Sequence, residues 1–372
     1  MEKVIPCPLS SADQYLAAPA EQATVLSDQE DQAQEATRFH RYIKPLAAAC
    51  VGLAMAGCSN LSLGSSENNK PQAVHSNSQK SNPTPEAPAP TPTIAEGPAQ
   101  ANPLFANRPT WSQNFATGNS DQLNTKNWNV YQGAAPANNE AEFYTANPTN
   151  LRVENGYLNL EARKEQINGN YNYTSARINT AGKENFLYGK LAISAELPRG
   201  AGTWPAIWLY PVGNKYADMS PAGDPLRYVN GGEIDIAESI GTEPNIVYGI
   251  VHTLSSALNN PGGEGYFKKT RVPGSNTHFN DYGVEWTPNK ITLSINNVPY
   301  FTYKKQAGAD YKSWPFDQRF GLILNVALGG VWGSRDKAQF PPDGIDSAAL
   351  PASMKVKSIY YYPYVGEVPG KG

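Results

Sequence analysis

The segment GGEIDIAESIG, residues 231–241, carries three carboxylates, Glu233, Asp235 and Glu238, on a run that otherwise has the pattern of a buried strand. Side chains alternate between the two faces of a strand, so Glu233 and Asp235 share one face. Regular alternation would send Glu238 to the other face. One extra residue in a β-bulge around Ile236-Ala237 would bring it back, and bulges re-aim side chains near active sites. The spacing therefore predicts three carboxylates in a row along one face.

Such a row suits hydrolysis of a glycosidic bond. Retaining glycosidases use two carboxyl groups about 5–5.5 Å apart, one as nucleophile and one as acid/base. Crowding should raise at least one pKa and keep Glu238 protonated as a general acid, while Asp235 orients Glu233. Two other interpretations stay open on these residues alone. Oxygen-rich clusters also suit a divalent cation such as calcium, and a strand face can be acidic without any chemistry.

The rest of the chain predicts the kind of fold that would hold this row. From about Pro103 onward, short runs of apolar residues recur, with Gly, Pro, Asn or Asp between most of them. Many short strands without long amphipathic helices predict an all-β domain, a β-sandwich or barrel, over residues 103–372. The runs are YLNLEARK (157–164), GKLAISAEL (189–197), EIDIAE (233–238), VYGIVHTL (247–254), YGVEWT (282–287), KITLSINN (290–297), FGLILNVAL (320–328) and VKSIYYYPYV (356–365).

Charge and cysteine content exclude several classes of protein. The net charge of the 372 residues is −3, which gives no electrostatic basis for binding nucleic acid. The three cysteines, Cys7, Cys50 and Cys58, all precede the predicted domain. The domain therefore has neither a disulfide framework nor a cysteine metal site.

Residues 1–58 have the pattern of an export leader. A basic patch at residues 38–44 precedes LAAACVGLAMAGC, an apolar run too short to span a bilayer comfortably. The end of this run, MAGCS, resembles the bacterial lipobox, so Cys58 is the predicted lipidation site. Residues 59–102 are rich in Ser, Asn, Pro and Ala and predict a disordered tether. We expect an exported cell-envelope lipoprotein held to a membrane through Cys58, or otherwise a secreted protein.

GGEIDIAESIG resembles the signature of glycoside hydrolase family 16, in the bulged form with two residues between the aspartate and the second glutamate. Other segments are similar to the bacterial laminarinase branch, the endo-β-1,3-glucanases, and follow in the same order. They are EFYTANPTNLRVENGYLNLEARKE (142–165), SARINTAGKENFLYGKLAISAELPRGAGTWPAIWLYP (175–211), YGVEWTPNKITLSINN (282–297) and FGLILNVALGGVWG (320–333).

The resemblance implies a concanavalin A-like jelly-roll β-sandwich of two curved antiparallel sheets, with a glycan cleft across the concave sheet. It also implies retention of configuration, with Glu233 as the nucleophile, Asp235 as the assisting acid and Glu238 as the acid/base. The expected activity is endo-hydrolysis of β-1,3-glucan such as laminarin, or of mixed-linkage β-glucan, by a monomer. Alternatives are an agarase- or carrageenase-type hydrolase, a transglycosylase, and a non-catalytic glycan-binding lectin.

Three tryptophans are predicted to bind the glycan. By resemblance, Trp204 and Trp208 line the glycone side of the cleft, where aromatic rings pack against the apolar C–H faces of sugars. Trp208 is expected to be the more structural of the two. Trp332 follows two glycines and would wall a subsite. Trp286 and Trp111 are expected in the core.

Three polar residues complete the predicted cleft. Arg177 and Asn325 match cleft positions of the family, where they would bind sugar hydroxyls or satisfy backbone groups between strands. His252 is expected on the strand after the catalytic one, contacting the acid/base or the sugar, or serving the structure alone. No metal and no cofactor are predicted. Many family members bind calcium on the convex side, but Asn114 and Lys357 stand where carboxylates would be expected.

Overall fold

The computed structural model describes residues 97–117, 123–220, 224, 226–259 and 265–368. The predicted leader, Cys58 and the predicted tether up to residue 96 lie outside the described residues. Among the described residues, no helix is both long and apolar enough to cross a membrane.

The described part of the chain is built almost entirely from strands. Two short α-helices, α1 (Leu254–Asn259) and α2 (Gly330–Gly333), lie in the loops. The strands are β1 (Trp111–Asn114), β2 (Asn129–Val130), β3 (Gly133–Ala134), β4 (Glu142–Tyr144), β5 (Leu151–Glu154), β6 (Tyr157–Ile167), β7 (Tyr171–Ser175), β8 (Arg177–Asn179), β9 (Gly189–Glu196), β10 (Thr203–Pro211), β11 (Glu233–Glu238), β12 (Ile246–His252), β13 (Tyr266–Arg271), β14 (Asn280–Thr287), β15 (Lys290–Ile295), β16 (Val298–Lys304), β17 (Phe320–Leu328) and β18 (Ala352–Tyr362).

These strands form two sheets. The inner sheet has seven strands in the order β13-β12-β11-β10-β17-β8-β2, with antiparallel neighbours throughout. The outer sheet has eleven strands; its main path is β16-β15-β14-β9-β18-β6-β7-β4-β3, and β1 and β5 pair with β18 and β6. Only β4 and β7 are parallel among the described pairs of this sheet. The predicted all-β sandwich of two mainly antiparallel sheets is confirmed.

The hydrophobic core lies between the two sheets. Strand β9 alternates buried and half-buried residues, as expected for a strand with one face on a core. Strand β17 is buried along its whole length in the middle of the inner sheet. Trp286 is fully packed in this core, as predicted, and Trp111 lies half-buried against it.

Asparagine and glycine close several of the hairpins. Asn296 and Asn297 join β15 to β16 with φ values of 52° and 63°, and Asn155 and Gly156 join β5 to β6 with φ values of 54° and 80°. Two consecutive left-handed residues match the right-handed twist of the flanking strands. These turns fix the register of the hairpins and, through them, the face on which each side chain lies.

The first described residues cross the outer face of the outer sheet. The hydroxyl of Tyr362 donates to the carbonyl of Pro98 at 2.7 Å, and the amide of Asn102 donates to Glu285 at 3.0 Å. A Cβ on Gly97 would lie 2.5 Å from the Tyr360 ring, so this glycine fits a tight notch. Residues 97–102, which the sequence analysis assigned to the tether, thus contact the domain.

Candidate active site

The catalytic strand β11 lies between β10 and β12 and contains a bulge. On β10, Trp208 pairs with Asp235 while Ile207 pairs with Ala237, so Ile236 has no paired residue there. The register with β12 also shifts between Asp235 and Glu238. The bulge predicted from the carboxylate spacing is confirmed at the predicted position, because the β10–β11 and β11–β12 pairings both shift register there.

The first two carboxyls of the row face a histidine on the next strand. Glu233 pairs with His252 across the β11–β12 ladder, as the sequence predicted for the strand order. Nε2 of His252 lies 3.2 Å from Oδ2 of Asp235 and 3.9 Å from Oε1 of Glu233. Asp235 also hydrogen-bonds Glu233. His252 therefore contacts the nucleophile end of the row, whereas its place in the sequence predicted contact with the acid/base or the sugar, or a structural role alone.

Burial raises the pKa of all three carboxyls. It raises that of Glu233 and that of Asp235 each to about 8, and the negative charge of Asp235 adds to the effect on Glu233. The pKa of Glu238 lies well above its usual value because of burial and then the charge of Asp235. His252 and Arg177 lower the pKa of Glu233, so both partly offset the effect of burial on this carboxyl.

The third carboxyl is held by an aromatic cluster. Nε1 of Trp204 donates to Oε1 of Glu238 at 2.8 Å. The Trp204 ring stacks on Trp332 with centroids 5.5 Å apart, and Trp332 also contacts Tyr248 at 5.3 Å. Trp204 is only 9% exposed, whereas Trp208 is half-buried. Trp204 is therefore the more buried of the two tryptophans, because Trp332 packs over its ring.

A chain of hydrogen bonds holds the second tryptophan. Nε1 of Trp208 donates to Oδ1 of Asn325 at 2.8 Å, and Nδ2 of Asn325 donates to the hydroxyl of Tyr144 at 3.2 Å. That hydroxyl donates to Glu140 at 3.4 Å. The guanidinium of Arg177 lies 4.9 Å from the centre of the Trp208 ring. The structure thus brings Trp208, Asn325 and Arg177 together. Asn325 lies on β17, two strands from β11, and Arg177 lies on β8, three strands from β11.

Glu140 and Glu142, which the sequence pattern did not single out, lie next to these hydrogen bonds. Glu142 is fully buried; its Oε2 accepts the Leu328 N–H at 2.8 Å, and its Oε1 has no hydrogen-bond partner within the described part of the chain. Burial, followed by the charge of Glu140, raises the pKa of Glu142 well above its usual value. The signal was present, because EAEFY spaces two acids two residues apart, as EIDIAE does, just before and at the start of β4.

The side chains present do not fit a structural calcium. Asn114 pairs with Ser358 on β18, so the two stretches expected to bind the ion are adjacent in space. The side-chain oxygen of Asn114 accepts the Ala116 N–H at 3.1 Å, and Lys357 brings an ammonium group where an anionic ligand would be needed. Among the described residues, the one converging group of three potential ligands is Glu233, Asp235 and His252 of the catalytic row itself.

The model of the family described as "Glycosyl hydrolases family 16" matches residues 138–343. The chain belongs to glycosyl hydrolase family 16. This family 16 enzyme is 39% identical to a β-glucanase of Rhodothermus marinus over 233 residues, which is 61% of this chain and 76% of that protein. It is 31% identical to a glucan endo-1,3-β-glucosidase of Cryptopygus antarcticus over 231 residues, 59% of this chain and 80% of the relative.

A solved structure supports the same assignment. The laminarinase from Rhodothermus marinus superposes with a TM-score of 0.62 at 37% sequence identity, covering 70% of this chain and 98% of that chain. The predicted family and its jelly-roll fold are confirmed, and the family 16 protein is a glycoside hydrolase.

Proposed function

We propose that the protein is a retaining endo-hydrolase of β-1,3-glucan, with mixed-linkage β-glucan as a second substrate. The observation that carries the proposal is the bulged strand β11, which sets Glu233, Asp235 and Glu238 in one row beside the His252 imidazole and the Trp204 indole N–H. The relatives that support a glucan substrate are named a β-glucanase, a glucan endo-1,3-β-glucosidase and a laminarinase.

In the first step, the carboxylate of Glu233 attacks the anomeric carbon while Glu238 gives its proton to the departing glycosidic oxygen. The bond between the anomeric carbon and that oxygen breaks, and a covalent glycosyl ester on Glu233 remains. Glu238, now a carboxylate, takes a proton from water, and the resulting hydroxide displaces Glu233 from the opposite face. Two inversions give net retention of configuration, and Glu238 is protonated again.

The electrostatics of the row fit this division of roles. His252 and Arg177 favour charge on Glu233, which must be ionised to attack. Burial and then the charge of Asp235 raise the pKa of Glu238 well above its usual value, so its neutral acid form is favoured. Asp235 hydrogen-bonds Glu233 and lies against His252, where it holds both in place.

Reducing-sugar release with product chromatography tests the activity. The full chain is incubated with laminarin, mixed-linkage glucan, agarose and carrageenan. Oligosaccharides from laminarin, released with retention in an NMR time course, are expected. Cleavage of agarose or carrageenan without cleavage of either glucan would contradict the proposal and indicate an agarase- or carrageenase-type hydrolase. Binding without cleavage would favour a lectin, and longer products than the starting oligosaccharide would reveal transglycosylation.

We further propose export, lipid attachment at Cys58 and a monomeric enzyme that needs no metal ion. The sequence before the domain supports this proposal, through its basic patch, short apolar run and MAGCS motif. In a bacterial host, the full chain should partition with membranes and carry a diacylglycerol on Cys58 by mass spectrometry. The Cys58→Ala variant should lose both properties, and membrane association that survives this change would contradict lipid anchoring. Size-exclusion chromatography with light scattering would test the monomer.

A further inference from the structure

The bulge on β11 contacts a tyrosine from the opposite sheet. Ile236 is the residue skipped by the β10 ladder, and the hydroxyl of Tyr300 donates a 2.9 Å hydrogen bond to its backbone carbonyl. Tyr300 belongs to β16, at the end of the main path of the outer sheet, whereas Ile236 lies on the inner sheet. The hydrogen bond therefore ties the catalytic bulge across the sandwich.

Tyr300 reaches the bulge because it occupies a bulge itself. On β15, Ser294 pairs with Pro299 and Leu293 pairs with Phe301, so Tyr300 has no paired residue in that ladder. An extra residue in one strand changes the direction of its side chain relative to regular alternation. Two bulges on different sheets thus face each other.

A glycine on β12 leaves the space for this contact. A Cβ added to Gly249 would lie 2.3 Å from the Tyr300 hydroxyl and 2.6 Å from a methyl group of Leu293. Gly249 lies between Tyr248 and Ile250, the partners of Glu238 and Asp235, so it is directly opposite the bulge. Any larger residue there would push the hydroxyl away from the Ile236 carbonyl.

We propose that Tyr300 is a positioning residue for Glu238, holding the bulge that aims this carboxyl at the glycosidic oxygen. The inference rests on the proposed acid/base role of Glu238. A backbone carbonyl at an irregular point of a sheet needs a partner, because a buried unsatisfied one destabilises that local conformation. Glu238 follows Ile236 by two residues, so a rotation of this peptide moves the carboxyl. Burial raises the pKa of Tyr300 well above its usual value, so the hydroxyl remains a donor.

The test compares Tyr300→Phe with the matched control Tyr282→Phe. The hydroxyl of Tyr282 is also buried between the sheets, but it has no hydrogen-bond partner in the part of the chain that the structure describes. Each variant is assayed on laminarin and on a dinitrophenyl β-laminaribioside. The dinitrophenolate leaving group departs without a proton. The kcat/KM for this substrate, which reports the first displacement, therefore does not depend on Glu238 as a general acid.

For Tyr300→Phe we expect kcat/KM on laminarin to fall roughly 10- to 100-fold, the size of effect that a small misplacement of a reacting group produces. The value on the aryl substrate should change by less than about threefold, and Tyr282→Phe should match the wild type on both. Wild-type kcat/KM on laminarin in Tyr300→Phe would overturn the inference. Equal losses on the two substrates would also overturn it, since they indicate general structural damage.

Gly249→Ala supplies an independent variant, because its methyl group would displace the same hydroxyl. The double variant Gly249→Ala/Tyr300→Phe should lose less kcat/KM on laminarin than the product of the two single fold-losses, since both changes act on one hydrogen bond. Fully multiplicative losses would contradict a shared contact.

A readout without substrate separates this inference from the proposed function. Isotope-edited NMR titration of the glutamate carboxyls should show a changed titration of Glu238 in Tyr300→Phe and none in Tyr282→Phe. If the wild type cleaves no glucan, the proposed function fails, and the titration still decides on Tyr300. An unchanged Glu238 titration would overturn the positioning role in either case.

Discussion

Nε1 of Trp204 donates a 2.8 Å hydrogen bond to Oε1 of Glu238. An indole N–H can only donate, so Oε1 accepts, and in a neutral carboxyl the carbonyl oxygen accepts more strongly than the hydroxyl oxygen. The proton that Glu238 transfers is therefore on Oε2. Trp204 fixes which oxygen acts as the acid, a role different from the sugar-stacking platform that its sequence position suggested.

Trp204→Phe should reveal this contact in the pH profile. The Trp204 hydrogen bond lowers the pKa of Glu238, so its loss raises that pKa further. Glu238 would stay protonated to higher pH, and the alkaline limb of kcat/KM on laminarin should move upward. The phenyl ring keeps contact with Trp332, and we expect kcat to fall about tenfold because the proton is no longer confined to Oε2. An alkaline limb that stays or moves to lower pH would contradict this assignment.

Glu233→Gln should remove the nucleophile and leave the fold intact. Turnover of laminarin is expected to fall by about 10³-fold or more, while laminarin binding measured by calorimetry is retained. Glu238→Ala is the comparison, because azide can replace water in its second step and give a glycosyl azide of retained configuration. Near wild-type turnover in Glu233→Gln would defeat the nucleophile assignment.

The same substitution should change the pH dependence of stability. Burial raises the pKa of Glu233 from 4.5 to about 8 on folding. A raised carboxyl pKa contributes stability that is complete below the unfolded value and is lost as pH rises through the folded value. The free energy of unfolding of the wild type, measured with urea, should thus fall between about pH 5 and pH 8. At the upper end of this range, Glu233→Gln should be more stable than the wild type by about 1 kcal/mol or more. A variant that tracks the wild type throughout would exclude this source.

Glu142→Gln should stabilise the protein at alkaline pH without touching the catalytic row. Its carboxyl is buried with one oxygen unpartnered within the described residues, and burial raises its pKa. Because the folded state disfavours the ionised form, the gain should appear as pH rises and vanish in acid, with a size of about 1–3 kcal/mol. Glu154→Gln is the control, since that side chain is 54% exposed and its ion pair with Arg152 contributes little.

Asn325→Ala should weaken glycan binding more than chemistry. This change removes the hydrogen bonds from Asn325 to Trp208 and to Tyr144 and leaves the carboxyl row in place. We expect KM for laminari-oligosaccharides to rise about tenfold with kcat reduced less than about threefold. A loss confined to kcat would place Asn325 in the chemical step instead.

Removal of divalent cations should leave activity and stability unchanged. Asn114 and Lys357 replace the carboxylates that a calcium site would need, so dialysis against EDTA is expected to shift neither kcat nor Tm. A fall in Tm that added calcium restores would contradict this.

The strand alternation and the bulge were predictable because they depend on short-range spacing. Glu233, Asp235 and Glu238 lie within one segment, and only one irregularity returns the third to the face of the first two. The packing of Trp332 over Trp204 was not predictable in the same way. It depends on where a loop after β17 folds back, which no local pattern encodes.

The contact from Tyr300 to Ile236 was hidden for a similar reason. Its hydrogen bond depends on a second bulge, whose position in VPYFTYK shows no break in alternation that would mark it. The buried Glu142 was overlooked because acids on strands are commonly solvated, and only the packed structure distinguishes it from Glu154.

The segment from Gly97 to Asn102 is bound to the outer sheet, on the side of the sandwich opposite the carboxyl row. Residues 97–102 therefore cover part of the outer sheet and stay away from the carboxyl row on the inner sheet. This segment does not restrict how a long polysaccharide lies across the row.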